Sequence, residues 1–276
     1  SLTIAQIIEP LRNTRLVILA LVANFVLVPL LAYLILLVIP LEQGLATGLI
    51  IMACAAGAPF LPKLAQTAKG NIAFSVGLMT LLMVVTVIYL PLMLPLMLAG
   101  ASVSPWAIAQ SLIVMMLLPL GIGLFIKARY QSLAGTLQPH MSQASTVALL
   151  LMLVAMLVLQ FRTILDLIGT GGLVAIVVFL VGAFVIGYPL GGKEPGIKPV
   201  LGLGTGQRNL SAAVLVAGQN FADDPNVLIM VLVAGIVGLV ILGGIAGELG
   251  KRSQAGQSEA AVEAAAPVEQ ANRSEE

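Results

Sequence analysis

The polar residues best placed for chemistry lie within residues 202–220, which read GLGTGQRNLSAAVLVAGQN. Gln207, Arg208 and Asn209 follow three glycines at alternate positions, and Thr205 adds a hydroxyl within that glycine-rich stretch. A guanidinium stays protonated at physiological pH and can hold a carboxylate through two parallel hydrogen bonds. The run is therefore a candidate functional site.

A second run, residues 53–71, reads ACAAGAPFLPKLAQTAKGN and is interrupted in a similar way. Its glycine and prolines break the helical pattern just before Lys63, and we add Pro59, Phe60 and Lys63 to the candidate substrate site. Non-helical backbone is tolerated inside a membrane only where it is buried in protein or lines a wet cavity. Ionisable residues at that depth mark substrate or ion paths. The alternative is two simple kinks, with Lys63 and Arg208 reaching the membrane surface.

The composition explains why these runs must be considered within a lipid bilayer. Hydrophobic residues make up 59% of the 276 positions and charged residues only 9%, against about a quarter in soluble domains. The cations form no basic stripe, so we expect no nucleic acid as a partner. Cys54 is the only cysteine, so a disulfide within the chain or a cysteine metal cluster is excluded. No hydrolase or metalloprotease motif occurs, and we expect neither enzymatic activity nor a cofactor.

The apolar runs predict an all-α polytopic membrane protein of about eight transmembrane helices. The predicted segments are 16–40, 43–62, 71–98, 105–127, 144–160, 164–189, 199–219 and 226–248. His140 falls in a predicted connection between two of them. From about residue 251 the sequence turns to Ala, Glu, Gln and Ser, which is typical of a disordered or loosely helical tail.

Lysine and arginine predict the orientation, because cytoplasmic loops carry an excess of both. The residues that fall on the cytoplasmic side are Arg12, Arg15, Lys69, Lys127, Arg129, Lys193, Lys198, Lys251 and Arg252. Only Arg162 falls on the other side. We expect both termini in the cytoplasm and the chain in the plasma (inner) membrane.

Broken helices in matching positions of two halves indicate an inverted-repeat transporter. Pairing segment 43–62 with 199–219 leaves two helices of the second half without a counterpart. Residues 1–98 are then the last three helices of a first repeat, 105–250 the five helices of a second, and 251–276 a cytoplasmic tail. We expect a protein of five-plus-five design that lacks the first two helices.

These motifs resemble those of the bile acid:sodium symporter family, whose two broken helices cross near the membrane centre. The family's second broken helix commonly reads Glu-Thr-Gly-Met-Gln-Asn, and three of six positions agree with residues 204–209. Its first crossing region resembles Cys-Pro-Gly-Gly-Thr-Ala-Ser-Asn, against Cys54 to Gly57 and then Lys69, Gly70 and Asn71. The resemblance implies a secondary transporter for an organic anion. Bile-acid-like, keto acid and pantoate-like substrates are all compatible with it.

The family's sodium ligands are the part of the pattern that this sequence changes most. Gly204 stands at the glutamate position and Arg208 at the glutamine position. The remaining candidate oxygen ligands are Ser75, Thr80, Thr205 and Asn209. Sodium prefers several oxygen donors, and a fixed guanidinium nearby would repel it. These substitutions argue against a sodium site of the family's kind.

We therefore hypothesise that Arg208, helped by Lys63, supplies the positive charge that sodium supplies elsewhere in the family. Half-helix N-termini facing the crossing would add to that charge. Two alternatives stay open. One is a genuine sodium:organic anion symporter with a rearranged ion site, and the other is a membrane sensor that transports nothing.

Overall fold

The computed structural model describes residues 12–98, 104–159, 161–162, 167, 169–192, 194 and 196–273. Within these ranges the regular structure is entirely helical. The helices in chain order are α1 (Thr14–Val38), α2 (Gln43–Cys54), α3 (Leu61–Thr67), α4 (Ile72–Met97), α5 (Pro105–Arg129), α6 (Gln131–Leu159), α7 (Gly172–Gly187), α8 (Ile197–Gly206), α9 (Leu210–Asn220) and α10 (Pro225–Arg273). A 3-10 turn, Tyr188–Gly191, continues α7.

In the described part of the chain, five helical segments are long and apolar enough to cross a bilayer: Thr14–Val38, Ile72–Met97, Pro105–Arg129, Gly172–Gly191 and Pro225–Ala255. Each contains most of a predicted segment. The two interrupted segments instead form pairs of short helices, α2 with α3 and α8 with α9. The prediction of an all-α polytopic membrane protein with two broken helices is thereby confirmed.

The sixth helix corrects one predicted boundary. It begins at Gln131, well before the predicted start at residue 144, and contains Pro139 and His140. His140 is exposed, and its Nδ1 lies 3.0 Å from the carbonyl oxygen of Thr136, one turn earlier. The predicted connection between the two segments was wrong, because Pro139 lies inside a continuous helix. At the other end of the chain, the α10 backbone remains helical to Arg273, past the predicted start of the tail.

Two of the long helices contain a π-helical turn, Ala23–Leu27 in α1 and Ile113–Leu117 in α5. A proline follows each turn two residues later, Pro29 in α1 and Pro119 in α5. Proline lacks an N–H group and clashes with the carbonyl four residues earlier, so that carbonyl needs another donor. For Pro29 the carbonyl is that of Phe25, and the Tyr89 hydroxyl donates to it at 2.6 Å. This hydrogen bond connects the π-helical turn of α1 to α4.

Small residues bring the broken helices into the centre of the protein. α2 packs closely against α10, and α8 packs against α7. At Gly48 the helices approach so closely that an added Cβ would lie 2.6 Å from the Val227 carbonyl oxygen and the Met230 Cβ. Small residues at these contacts let the helix backbones approach each other closely. They leave the ends of α2 and α8 buried and facing each other.

Candidate functional site

The first break, residues 55–60, separates α2 from α3 and consists mainly of small residues. Gly57 adopts φ +79°, in the left-handed region, which costs other L-residues free energy. A Cβ at Gly57 would also collide with the backbone of Met83 in α4. Ala55, Ala56 and Gly57 are buried, and their carbonyls have left the helical hydrogen-bond pattern. Each of these carbonyls needs a donor from elsewhere.

The second break, residues 207–209, supplies most of those donors. The Asn209 N–H donates to Ala55 O at 2.8 Å, and Asn209 Nδ2 donates to Gly57 O at 3.0 Å. The Thr86 hydroxyl, from α4, donates to Ala56 O at 3.0 Å. The two breaks therefore meet in direct hydrogen bonds. We call residues 52–57 together with residues 205–209 the crossing.

Arg208 lies at the centre of the crossing with only 1% of its surface exposed. Its Nε donates to Met52 O at 3.1 Å. Its Nη1 donates to Asn24 Oδ1 at 2.8 Å and to Thr205 O at 3.2 Å. Its Nη2 donates to Ala53 O at 2.6 Å and to Asn24 O at 3.5 Å. A guanidinium has five N–H groups, so this set uses its full donor capacity.

All five acceptors are neutral oxygens. Within the described residues the guanidinium makes no contact with a carboxylate. The ion pair Arg252–Glu248 lies elsewhere, on the exposed part of α10. Met52 and Ala53 belong to the last turn of α2, and Thr205 belongs to the last turn of α8. Helix C-termini carry partial negative charge. The ends of the two half-helices therefore stabilise the buried cation.

Asn24 connects α1 to this centre from within its π-helical turn. Its Oδ1 and carbonyl oxygen accept from Arg208, while its Nδ2 donates to Ala20 O at 3.0 Å and to Thr205 Oγ1 at 3.4 Å. The side chain is fully buried. Asn24 thus uses its side-chain amide to fix both Arg208 and the end of α8.

Asn209 has a second role as the N-cap of α9, since its Oδ1 accepts from Ala212 N at 3.1 Å. Its Nδ2 also lies 3.1 Å from the Met116 sulfur, in the π-helical turn of α5. Gln207 is 6% exposed, and its Oε1 is buried without a hydrogen-bond partner among the residues that the structure describes. A buried oxygen without a donor is costly, which makes Gln207 Oε1 the atom of the crossing best suited to meet a cation or a donor on a ligand.

Gly204, where the family resemblance places a glutamate, packs closely against two leucines. A Cβ there would lie 3.0 Å from Leu61 Cδ2 and 3.1 Å from Leu78 Cδ2. A longer side chain would have to displace both leucines, which pack from α3 and α4. The structure thus has no room for an acidic side chain at Gly204 without repacking.

The residues predicted for the substrate site divide into two groups. Thr205, Gln207, Arg208 and Asn209 come together at the crossing, as described above. Pro59 and Lys63 are exposed and Phe60 is half-buried, and the Lys63 Nζ lies 5.9 Å from the centroid of the Phe60 ring. Pro59 and Phe60 end the first break and Lys63 lies in the first turn of α3, so all three border the crossing.

The two remaining predicted ion ligands lie on α4. The Ser75 hydroxyl donates to Ile72 O at 2.7 Å, and the Thr80 hydroxyl donates to Val76 O at 2.9 Å. Both bonds stay within α4, and each hydroxyl oxygen retains acceptor capacity. No hydrogen bond described here joins either hydroxyl to the crossing.

Sequence reasoning missed Asn24, Thr86 and Met116. Asn24 had a usable signal, because a lone amide in an apolar span is costly unless it has a partner. Thr86 and Met116 had none, since threonine and methionine are ordinary residues in transmembrane helices. Their importance comes only from the neighbours that tertiary packing gives them.

The fold and the site together define a polytopic membrane protein whose candidate site is the crossing of two broken helices. The chain belongs to the Sodium Bile acid symporter family, which matches residues 1–167. That match includes the first break and ends before the second. Membership of this family of symporters indicates a transporter rather than an enzyme.

Two relatives match most of the chain. The "Probable sodium/metabolite cotransporter BASS3, chloroplastic" of Arabidopsis thaliana is 28% identical over 229 residues, which cover 80% of this chain and 53% of the relative. The protein of the same name from Oryza sativa subsp. japonica is 24% identical over 227 residues, covering 79% of this chain and 54% of the relative. The chain thus spans about half the length of these relatives.

Proposed function

We propose that this chain is part of a secondary transporter that moves a small organic anion across the membrane. The observation that carries the proposal is the buried Arg208 guanidinium at the crossing, in a chain that belongs to the Sodium Bile acid symporter family. An unneutralised cation in a low-dielectric region attracts an anion far more strongly than a surface cation does. Release then follows when one group of helices rocks against another.

The substrate site in this proposal consists of Thr205, Gln207, Arg208 and Asn209 with the bordering residues Pro59, Phe60 and Lys63. Because the Arg208 N–H groups already have partners, its contribution to anion binding is the field of its charge. The α9 N-terminus adds partial positive charge, and the Lys63 ammonium adds a second cation at the exposed border. Gln207 contributes the side chain that is buried at the crossing and still has an unused oxygen.

In this proposal the transporter does not use the family's usual sodium ligands, because Gly204 and Arg208 replace them. The positive charge of Arg208 is a permanent part of the protein. We further propose the plasma (inner) membrane and cytoplasmic termini on the strength of the lysine and arginine distribution.

A second candidate function is sodium:organic anion symport through a rearranged ion site. Two observations favour it: both relatives are named sodium/metabolite cotransporters, and Gln207 Oε1 lacks a donor. The oxygens available to such a site are those of Gln207, Ser75, Thr80, Thr205 and Asn209. All of these oxygens are neutral, and the described residues contain no group of three or more His, Cys, Asp or Glu that could hold a metal.

Counterflow in proteoliposomes tests the proposal. Vesicles are loaded with an unlabelled steroid acid, 2-keto acid or pantoate-like hydroxy acid, and entry of the same labelled acid is followed in sodium or choline medium. We expect exchange of at least one acid in choline medium and a loss of about tenfold or more in Arg208→Met. Arg15→Ala, which removes an exposed arginine, serves as the control. Exchange that requires sodium would favour the second candidate, and no exchange of any acid would contradict both.

A further inference from the structure

The oxygen atoms around Arg208 form a cage of the kind that binds a free cation. The cage consists of five oxygens: Met52 O, Ala53 O, Thr205 O, Asn24 O and Asn24 Oδ1. Four are backbone carbonyls, held in place by helix ends and a π-helical turn. Carbonyl oxygens at the C-terminal ends of discontinuous helices coordinate cations in membrane proteins.

This arrangement differs from the two usual environments of a buried arginine. A structural arginine is normally paired with a carboxylate, because an unpaired buried charge is costly, and none contacts Arg208 within the described residues. An arginine that clamps an anionic substrate keeps N–H groups available for it. Here the protein's own oxygens accept from all five groups. The dipoles of neutral oxygens hold the Arg208 side chain in the way that they would hold a free cation.

We infer that the cage is a monovalent-cation site whose resident ion is the covalently attached guanidinium of Arg208. The attached group prevents free sodium from entering this cage. Shortening the side chain opens the site, which then accepts free guanidinium and, more weakly, sodium. Guanidinium is favoured because the oxygens are spaced for three nitrogens, whereas sodium requires shorter contacts and usually a carboxylate.

One consequence rests on the proposed function. A transporter that carries its cation within the fold returns that charge in every cycle, so the net charge moved is that of the anion. Uptake of a monovalent acid should then respond to membrane potential with sodium absent from both sides. The cage itself can be tested without any transported anion.

The first test is chemical rescue of the purified full chain in detergent. Arg208→Ala is heated with 0–20 mM guanidinium, ethylguanidinium, sodium or tetramethylammonium chloride at constant ionic strength. We expect its Tm to lie well below that of the wild type and to rise saturably with guanidinium, by about 3–6 °C at ten times the Kd. Sodium should give a smaller rise and tetramethylammonium none. The wild type and Arg15→Ala should not respond. A folded Arg208→Ala that shows no saturable response to guanidinium would overturn the inference.

A second pair of variants decides the question if Arg208→Ala does not fold. Arg208→Lys and Arg208→Met have side chains of similar length and differ in charge. We expect the lysine variant to remain monodisperse on size exclusion, with a Tm several degrees above that of the methionine variant. Equal or greater stability of Arg208→Met would show that the cage needs no cation, because an apolar side chain often replaces a dispensable buried charge without loss.

Failure of both variants to fold would show that the five-donor geometry of arginine is essential, and it would also overturn the inference. Folding of Arg208→Lys alone would support it. None of these measurements depends on anion exchange. A negative counterflow result would therefore not contradict the cation-site inference, and a negative rescue result would not contradict the proposed transport function.

Discussion

The two breaks meet at the crossing, where one contributes hydrogen-bond acceptors and the other contributes donors. Around the first break the contribution consists of carbonyl oxygens, and the side chains of Ala55, Ala56 and Gly57 carry no polar group. The second break contributes N–H donors from Arg208 and Asn209. One break must stay small so that the side chains of the other can reach its backbone. Substitutions in the first break should therefore act through size, and those in the second through lost donors.

Gly57→Ala should have the largest effect of the single substitutions proposed below. The new methyl group would be strained at positive φ and would collide with the Met83 backbone. We expect the free energy of unfolding in detergent to fall by about 3 kcal/mol or more, from strain and overpacking together. Gly192→Ala is the matched control, since Gly192 also has positive φ and open space around it. Its free energy of unfolding should fall by only about 1 kcal/mol. Equal losses for both variants would show that the first break does not require a small residue at position 57.

Asn209→Ala tests the donor side of the comparison. It removes the cap of α9 and the bond to Gly57 O, so one N-terminal N–H and one buried carbonyl lose their partners. We expect a loss of about 2–4 kcal/mol in unfolding free energy. Asn71→Ala removes a cap in which Oδ1 accepts from Phe74 N, on a residue that is exposed. This control should cost about 1 kcal/mol, and similar losses for both variants would mean that Asn209 acts only as a cap.

Both breaks and the importance of Arg208 could be predicted from the sequence. Glycine, proline and a cation within an apolar span are costly there unless they form a break or a site. It could not find the partners of Arg208. Met52 and Ala53 contribute only backbone oxygens, which no side-chain pattern records. The role of Asn24 depends on a π-helical turn that brings its amide towards a residue 184 positions later. The sequence suggested that the guanidinium grips an anion, whereas its N–H groups bind the protein itself.

Thr86→Val should give a smaller effect, because it removes one donor that the second break does not supply. The Thr86 hydroxyl bonds to Ala56 O, and valine keeps the shape of the side chain. We expect a loss of about 1–2 kcal/mol in unfolding free energy, since a buried carbonyl loses its donor. Thr80→Val removes a bond within α4 and should lie within about 0.5 kcal/mol of the wild type. If Thr86→Val were equally mild, the carbonyls of the first break would not all need donors.

Gln207→Leu should have the smallest effect on stability, and it separates folding from function at the second break. The Asn209 Oδ1 accepts a hydrogen bond, whereas the buried Gln207 Oε1 has no donor among the described residues, so removing that oxygen also removes a desolvation cost. We expect the free energy of unfolding to stay the same or to rise by about 1 kcal/mol. Uptake of an anion with a hydroxyl group that can donate to Oε1 should fall about tenfold, since a lost contact of about 1.4 kcal/mol changes an affinity by that factor. Gln110→Leu, at an exposed glutamine of α5, is the control for both measurements. Full uptake in a stabilised Gln207→Leu would exclude Oε1 as a contact for the cargo, and the second break would then act only through its donors.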